Sequence, residues 1–273
     1  MAKAWLRGSG RLSFACGAAV LLAACAVSNP AGSPANETRD RITASDEPDA
    51  QKRARARMEL ASAYYGRGQV TTALDQVKLA IASDPLYGEA FNLRGLIYGN
   101  LGDVVLAEES FRRALQLNPR DADAMHNYGW FLCQQRRYPD ATVQFRQAMA
   151  VPQYRGGSRT LRTLGVCQAF AGQLADADAT LSRAYEMDPS NAYTGTNLSE
   201  VLYKRGEFER ARFYIRRVNA MTDVANAQTL WLAARIEHKL GNEQGAREFG
   251  NQLRNRFPNA REAAAFSRGA YDE

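Results

Sequence analysis

The residues of this chain best suited to chemistry are its cysteines and histidines, and they are too few and too scattered to build a reaction centre. His126 and His238 are the only histidines. Neither belongs to a Cys/His cluster with ligand spacing, so no metal is expected. There is no phosphate loop of the Walker type and no dinucleotide glycine fingerprint, and no cofactor is expected. Carboxylate pairs such as Glu108-Glu109 read as solvated helix surface. Arg210, Arg212, Arg216 and Arg217 recur at helical spacing and read as a solvated face or one turned to an acidic partner. No catalytic residue is expected, and the chain reads as a non-enzyme. Of the four cysteines, Cys16 and Cys25 lie in an apolar N-terminal stretch, whereas Cys133 and Cys167 lie deep in the chain.

Cys25 carries a chemistry of its own. Lys3, Arg7 and Arg11 precede a mostly apolar run from Leu12 to Ala24. The run is shorter than the roughly 20 apolar residues a membrane span needs, and it fits the core of an export signal. Its end, Leu22-Ala23-Ala24-Cys25, resembles the bacterial lipobox. That resemblance implies cleavage before Cys25, a diacylglycerol on its thiol and acylation of the new amine. The other reading is an ordinary export signal that happens to contain a cysteine. Three acyl chains exceed the two membrane signals that stable anchoring requires. Ala26 follows the cysteine where Asp would imply retention. By similarity to bacterial lipoproteins this implies a lipid-anchored protein on the periplasmic face of the outer membrane. Loss of the three basic residues takes the formal charge from +6 to +3. Such an excess is too small for a nucleic-acid partner, which needs a concentrated basic face. Residues 26–50 are rich in Pro, Ser, Asn and Asp. They cannot bury enough apolar surface to fold, and as a random coil they would tether the body over roughly 25–30 Å.

From residue 51 the apolar pattern becomes helical and repeats. Phe91–Pro119 shows the unit best. Counted from Gly88, large residues fall at positions 4, 11 and 24 (Phe91, Tyr98, Phe111), and small ones at 8, 20 and 27 (Gly95, Ala107, Ala114). Gly102 falls at 15 and Pro119 at 32. This is the signature of a tetratricopeptide (TPR) hairpin. Small residues let two helices approach, large ones fill the space between, Gly permits the turn, and Pro ends the second helix. The pattern predicts an all-α fold, a right-handed TPR superhelix of about six repeats near 54–87, 88–121, 122–155, 158–191, 192–225 and 227–259. The expected domain plan is a lipoprotein signal over 1–24, lipidated Cys25 and tether over 25–50, the array over 51–259 and a capping helix over 260–273. Within the last segment a helix over Ala260–Tyr271 is expected, with Asn259 as its N-cap and Glu262 completing a capping box. Turn glycines are expected at Gly68, Gly102, Gly172, Gly206 and Gly241, with Arg136 taking that place in the third repeat.

Similarity to other TPR proteins implies that positions 2, 5, 9 and 12 of each first helix line a concave groove, and their spacing does put them on one helix face. The partner-binding candidates are Met58, Ser62 and Tyr65 in the first repeat, Asn92 and Leu96 in the second, and His126 and Trp130 in the third. The fourth repeat presents Arg159, Arg162, Val166 and Ala169. Aromatic anchors on a mixed surface suit a peptide or strand from another protein. Cys133 and Cys167 fall on neighbouring first helices, and the expected compartment is oxidising. Either a disulfide or two buried thiols would satisfy them.

The third repeat is more particular. Asn127-Tyr128-Gly129-Trp130-Phe131-Leu132-Cys133 leads into Tyr138-Pro139-Asp140-Ala141, then Phe145, Ala148, Pro152 and Tyr154. With the lipobox, tether, six repeats and two internal cysteines, the chain resembles the type IV pilus biogenesis and stability lipoproteins of the PilF/PilW type, the TPR-containing secretin pilotins. The resemblance implies an adaptor that binds the pilus secretin subunit. It would promote that subunit's outer-membrane localisation and multimerisation, in support of twitching motility. It would be held by its acyl chains and remain a monomer until it joins the secretin. The runner-up is a TPR lipoprotein scaffold for outer-membrane protein assembly or peptidoglycan enzymes.

Overall fold

Thirteen α-helices and no strands make up residues 48–272, the part of the chain that the computed structural model describes. The expected signal, Cys25 and the tether up to residue 47 lie outside the described residues. The first twelve helices pair as hairpins: α1 (Asp49–Gly66) with α2 (Val70–Ser83), and α3 (Gly88–Leu101) with α4 (Val104–Leu117). Next come α5 (Ala122–Gln134) with α6 (Tyr138–Ala150), and α7 (Gly157–Phe170) with α8 (Leu174–Met187). The last two hairpins are α9 (Ala192–Lys204) with α10 (Phe208–Asn219), and α11 (Ala227–Lys239) with α12 (Glu243–Arg256). A short α13 (Arg261–Ser267) packs against both helices of the sixth hairpin.

The hairpins close because small residues face large ones. A Cβ on Gly95 would lie 2.8 Å from the Phe111 ring, and one on Gly165 would lie 2.6 Å from Leu181. Glycine is therefore what lets these helix pairs touch at positions 8 and 24. The turns that connect them are left-handed at Gly68, Gly102, Gly172, Gly206 and Gly241, with φ between 72° and 81°. Arg136 adopts φ 59° at the equivalent place, a conformation that an L side chain pays about 1–2 kcal/mol to hold.

Between repeats, acids clasp arginines across the seam. Glu108 of α4 accepts from Arg137, at the start of α6, through both carboxylate oxygens at 2.9 Å, and from the Tyr128 hydroxyl at 2.9 Å. Asp178 of α8 meets Arg205 at 2.7 Å and Arg210 at 2.9 Å. Burial pushes the Asp178 carboxyl up, but the Arg210 hydrogen bond and charge, with Ser182 and Arg205, outweigh it and hold the group below the usual carboxylate range. Glu237 of α11 is buried and receives Arg216 Nε at 2.8 Å and Asn242 Nδ2 at 2.7 Å. Each buried acid is thus paired and hydrogen-bonded, the condition under which such a group is tolerated.

Two segments depart from the sequence-based expectation. The expected cap at Asn259 is not made. The Phe257 carbonyl accepts from Ala260 N at 3.0 Å, which places exposed Asn259 inside a turn, and Ala260 holds the N-cap position without a side-chain bond. Glu262 is buried and pairs instead with Arg261 Nε at 3.1 Å. The helix expected over Ala260–Tyr271 stops at Ser267, because Gly269 turns left-handed at φ 67° and Ala270 N bonds back to Ala265 O at 3.0 Å. After the fifth repeat, which lacks the terminal Pro, a true capping box opens α11 of the sixth. Asn226 Oδ1 accepts from Thr229 N at 3.1 Å, and Thr229 Oγ1 accepts from Asn226 N at 3.0 Å.

Candidate partner-binding groove

Successive first helices α1, α3, α5, α7, α9 and α11 touch one another, so residues on their shared face form one continuous strip. At its N-terminal end Met58 and Tyr65 are half-buried against the cluster built from Ala61, Val77, Leu93 and Ile97. The Tyr65 hydroxyl donates to the Leu96 carbonyl at 3.4 Å, and burial raises its pKa. Leu96 is half-buried between this cluster and the next. Asn92 Oδ1 accepts from Asn127 Nδ2 at 3.1 Å, which links the second and third repeats. Ser62 is exposed.

The third and fourth repeats build a recess of about 240 Å³ lined by His126, Trp130, Arg159, Arg162, Thr163 and Val166. Trp130 packs one side on the core cluster and leaves the rest of its indole in the recess. His126 forms part of the floor and is buried. Its Nδ1 lies 2.9 Å from Thr160 Oγ1, and its ring stands edge-on to Phe145 at 5.8 Å. Thr160 Oγ1 is also 3.0 Å from the Tyr154 hydroxyl, which accepts from Arg159 Nη2 at 3.4 Å. Arg159 is ion-paired with Asp123 across the mouth, and Arg162 donates to Asn191 Oδ1 at 3.3 Å. The recess therefore offers an aromatic floor and a guanidinium rim. It suits an apolar side chain flanked by carbonyl or carboxylate oxygens.

Burial, followed by the charge of Arg159, lowers the His126 pKa to about 4, so the ring is neutral at ordinary pH. A folded pKa below the unfolded value of about 6.5 means that the unfolded chain binds the proton first as pH falls. The contribution to stability is complete above pH 6.5 and is lost as pH falls toward 4, by up to roughly 3 kcal/mol. Urea unfolding at pH 7 and pH 4.5 should show that loss in the wild type and a smaller one in His126→Gln. Equal losses in the two proteins would refute the assignment.

Cys133 and Cys167, on α5 and α7, form a disulfide with Cα atoms 5.8 Å apart, beside Phe131, Leu132 and Leu164. Cys133 occupies groove position 12, but it is buried and takes no part in the open strip. Tyr154, Thr160 and Thr163 are the site residues that spacing did not reveal. Tyr154 lies in the loop where Gly156-Gly157 break the 34-residue period, and that irregularity is the available signal. Among the described residues no group of three or more His, Cys, Asp and Glu could hold a metal ion. Nor is any helix there long and apolar enough to cross a membrane.

Residues 88–121 and 110–142 match tetratricopeptide repeat families. The solved structure of PilW, described as a widely conserved type IV pilus biogenesis factor, is 30% identical. It superposes with a TM-score of 0.73 over 78% of this chain and 97% of PilW. The chain belongs to that family. The type IV pilus assembly protein PilF of Pseudomonas aeruginosa is 26% identical over 211 residues, 77% of this chain and 83% of PilF. A solved PilF structure is 25% identical with a TM-score of 0.71, covering 81% of this chain and all of that one. An uncharacterised Haemophilus influenzae protein is 27% identical over 142 residues, 52% of this chain and 79% of that protein. The body is a TPR scaffold of the PilF/PilW type.

Proposed function

We propose that this protein is a lipid-anchored adaptor of type IV pilus biogenesis whose groove binds the pilus secretin subunit. Acyl chains on Cys25 hold it at the inner face of the outer membrane, and it promotes secretin arrival and multimerisation there without making or breaking a bond. The match to PilW over 97% of its length carries the proposal. The aromatic recess at Trp130, rimmed by Arg159 and Arg162, gives it a place to act.

Pull-down with the mature protein should recover secretin. Trp130→Ala should weaken that capture by about 10–30-fold, the effect of removing an aromatic anchor. Thermal melting of the variant separates lost binding from lost folding. A folded Trp130→Ala protein that captures secretin at the wild-type level would remove the recess from the proposal. Cys25→Ser should lower secretin multimers in outer-membrane fractions; normal levels would eliminate the lipid-carrier step. Intact pili with altered cell shape or permeability after gene deletion would favour another envelope scaffold.

A further inference from the structure

The groove face of the sixth repeat is not empty. Counted from Ala227, Trp231, Arg235 and His238 fall at positions 5, 9 and 12, the places that His126, Trp130 and Cys133 hold in the third repeat. After α13 the chain turns back at Gly269 and lays Tyr271 across this face. The Tyr271 ring stacks on His238 at 4.1 Å and on Trp231 at 5.3 Å. Its carbonyl accepts from Arg235 Nε at 2.8 Å, and Asp272 pairs with Lys239 Nζ at 2.5 Å. Arg235 in turn lies over the Tyr203 ring at 4.7 Å, position 12 of the fifth repeat. An aromatic ring, a backbone carbonyl and the acid that follows are each met by a dedicated group on α11.

We propose that the first helix of the sixth repeat is a second peptide site, specific for a turn-forming segment bearing an aromatic residue followed by an acidic one, and that Gly269–Asp272 fills it as an internal competitor. The chemistry of the site is the chemistry of the segment now seated on it. Two stacking partners select the ring, the guanidinium fixes the chain direction through the carbonyl, and Lys239 selects the acid. The seated segment is easily displaced. It joins the body through a glycine turn, and its ion pair is solvent-exposed on the Asp272 side. A recess lined by Arg261, Glu262, Ala265 and Arg268 adjoins Trp231 and Arg235, leaving room for a longer partner segment. The site is separate from the recess at Trp130 and does not depend on secretin binding there.

The probe is a blocked synthetic peptide with the sequence of residues 267–273, Ser-Arg-Gly-Ala-Tyr-Asp-Glu. Calorimetric titration into a Tyr271→Ala/Asp272→Ala double variant should show binding roughly tenfold tighter than to wild type, where the internal segment must first leave. A peptide with Ala in place of Tyr should not bind. Equal affinity for variant and wild type, or no binding to the folded variant, would overturn the proposal. Hydrogen exchange on the unmutated protein gives an independent reading. Saturating peptide should raise exchange at residues 268–272 while α11 stays protected. Unchanged exchange at residues 268–272 also overturns it.

Discussion

Replacing Phe111 by alanine is expected to destabilise the array by about 3–5 kcal/mol, the cost of emptying a fully buried aromatic site. Phe111 is fully buried and joins two repeats. Within its hairpin it fills the space left by Gly95, and toward the next repeat it stacks on Tyr128 and meets Phe131, each at 5.5 Å. Its loss therefore empties a contact inside the second repeat and another between the second and third. Neighbour contacts are what a solenoid's stability is built from, so the change should lower the urea midpoint and broaden the transition as the second repeat uncouples. Phe213→Ala is the control. That ring is 55% exposed, with Arg217 resting over it at 5.5 Å, and its removal should cost little. A Phe111→Ala protein that melts with the wild type would mean that this packing does not hold the array together.

Opening the Cys133–Cys167 disulfide should cost about 4 kcal/mol, the chain-entropy value for a bond spanning 34 residues. The native state itself changes little on reduction, because two thiols among Leu132, Phe131 and Leu164 behave as small hydrophobes. The effect lies in the unfolded chain, which gains the freedom of a loop containing all of α6. Melting with and without reductant should show a shift of about 10 °C in wild type and none in a Cys133→Ala/Cys167→Ala variant. Mass spectrometry finding both thiols free in protein purified without reductant would contradict the bond outright.

Much of the fold could be read from residue size alone. The alternation of Gly95, Ala107 and Ala114 with Phe91, Tyr98 and Phe111 leaves few packing solutions other than a close helical hairpin, and the 34-residue period carries that solution along the chain. The period put Arg136 at the turn position, where the missing glycine suggested a different local turn; the structure shows the same left-handed turn. The ends of the array were less legible. Asn259 and Glu262 have the spacing of a capping box, yet a backbone turn from Phe257 to Ala260 claims the position first. In the groove, Trp130 stands at the recess as its helix position implies. The chain from His126 through Thr160 to Tyr154 depends on how the irregular loop before α7 folds, and periodicity says nothing about a segment that breaks it. The return of Tyr271 onto Trp231 was hidden for the same reason.

The disulfide also changes how the molecule would fail. Cys133 and Cys167 close a covalent ring that contains α6 and the loop bearing Gln153, held at φ 62°, and Gly156. A protease that cuts that loop makes two fragments in sequence but one object in fact, since the ring holds both ends of the cut. The N-terminal repeats stay attached to the C-terminal ones. Damage at the most irregular joint of the solenoid would appear on a reducing gel while leaving the particle whole.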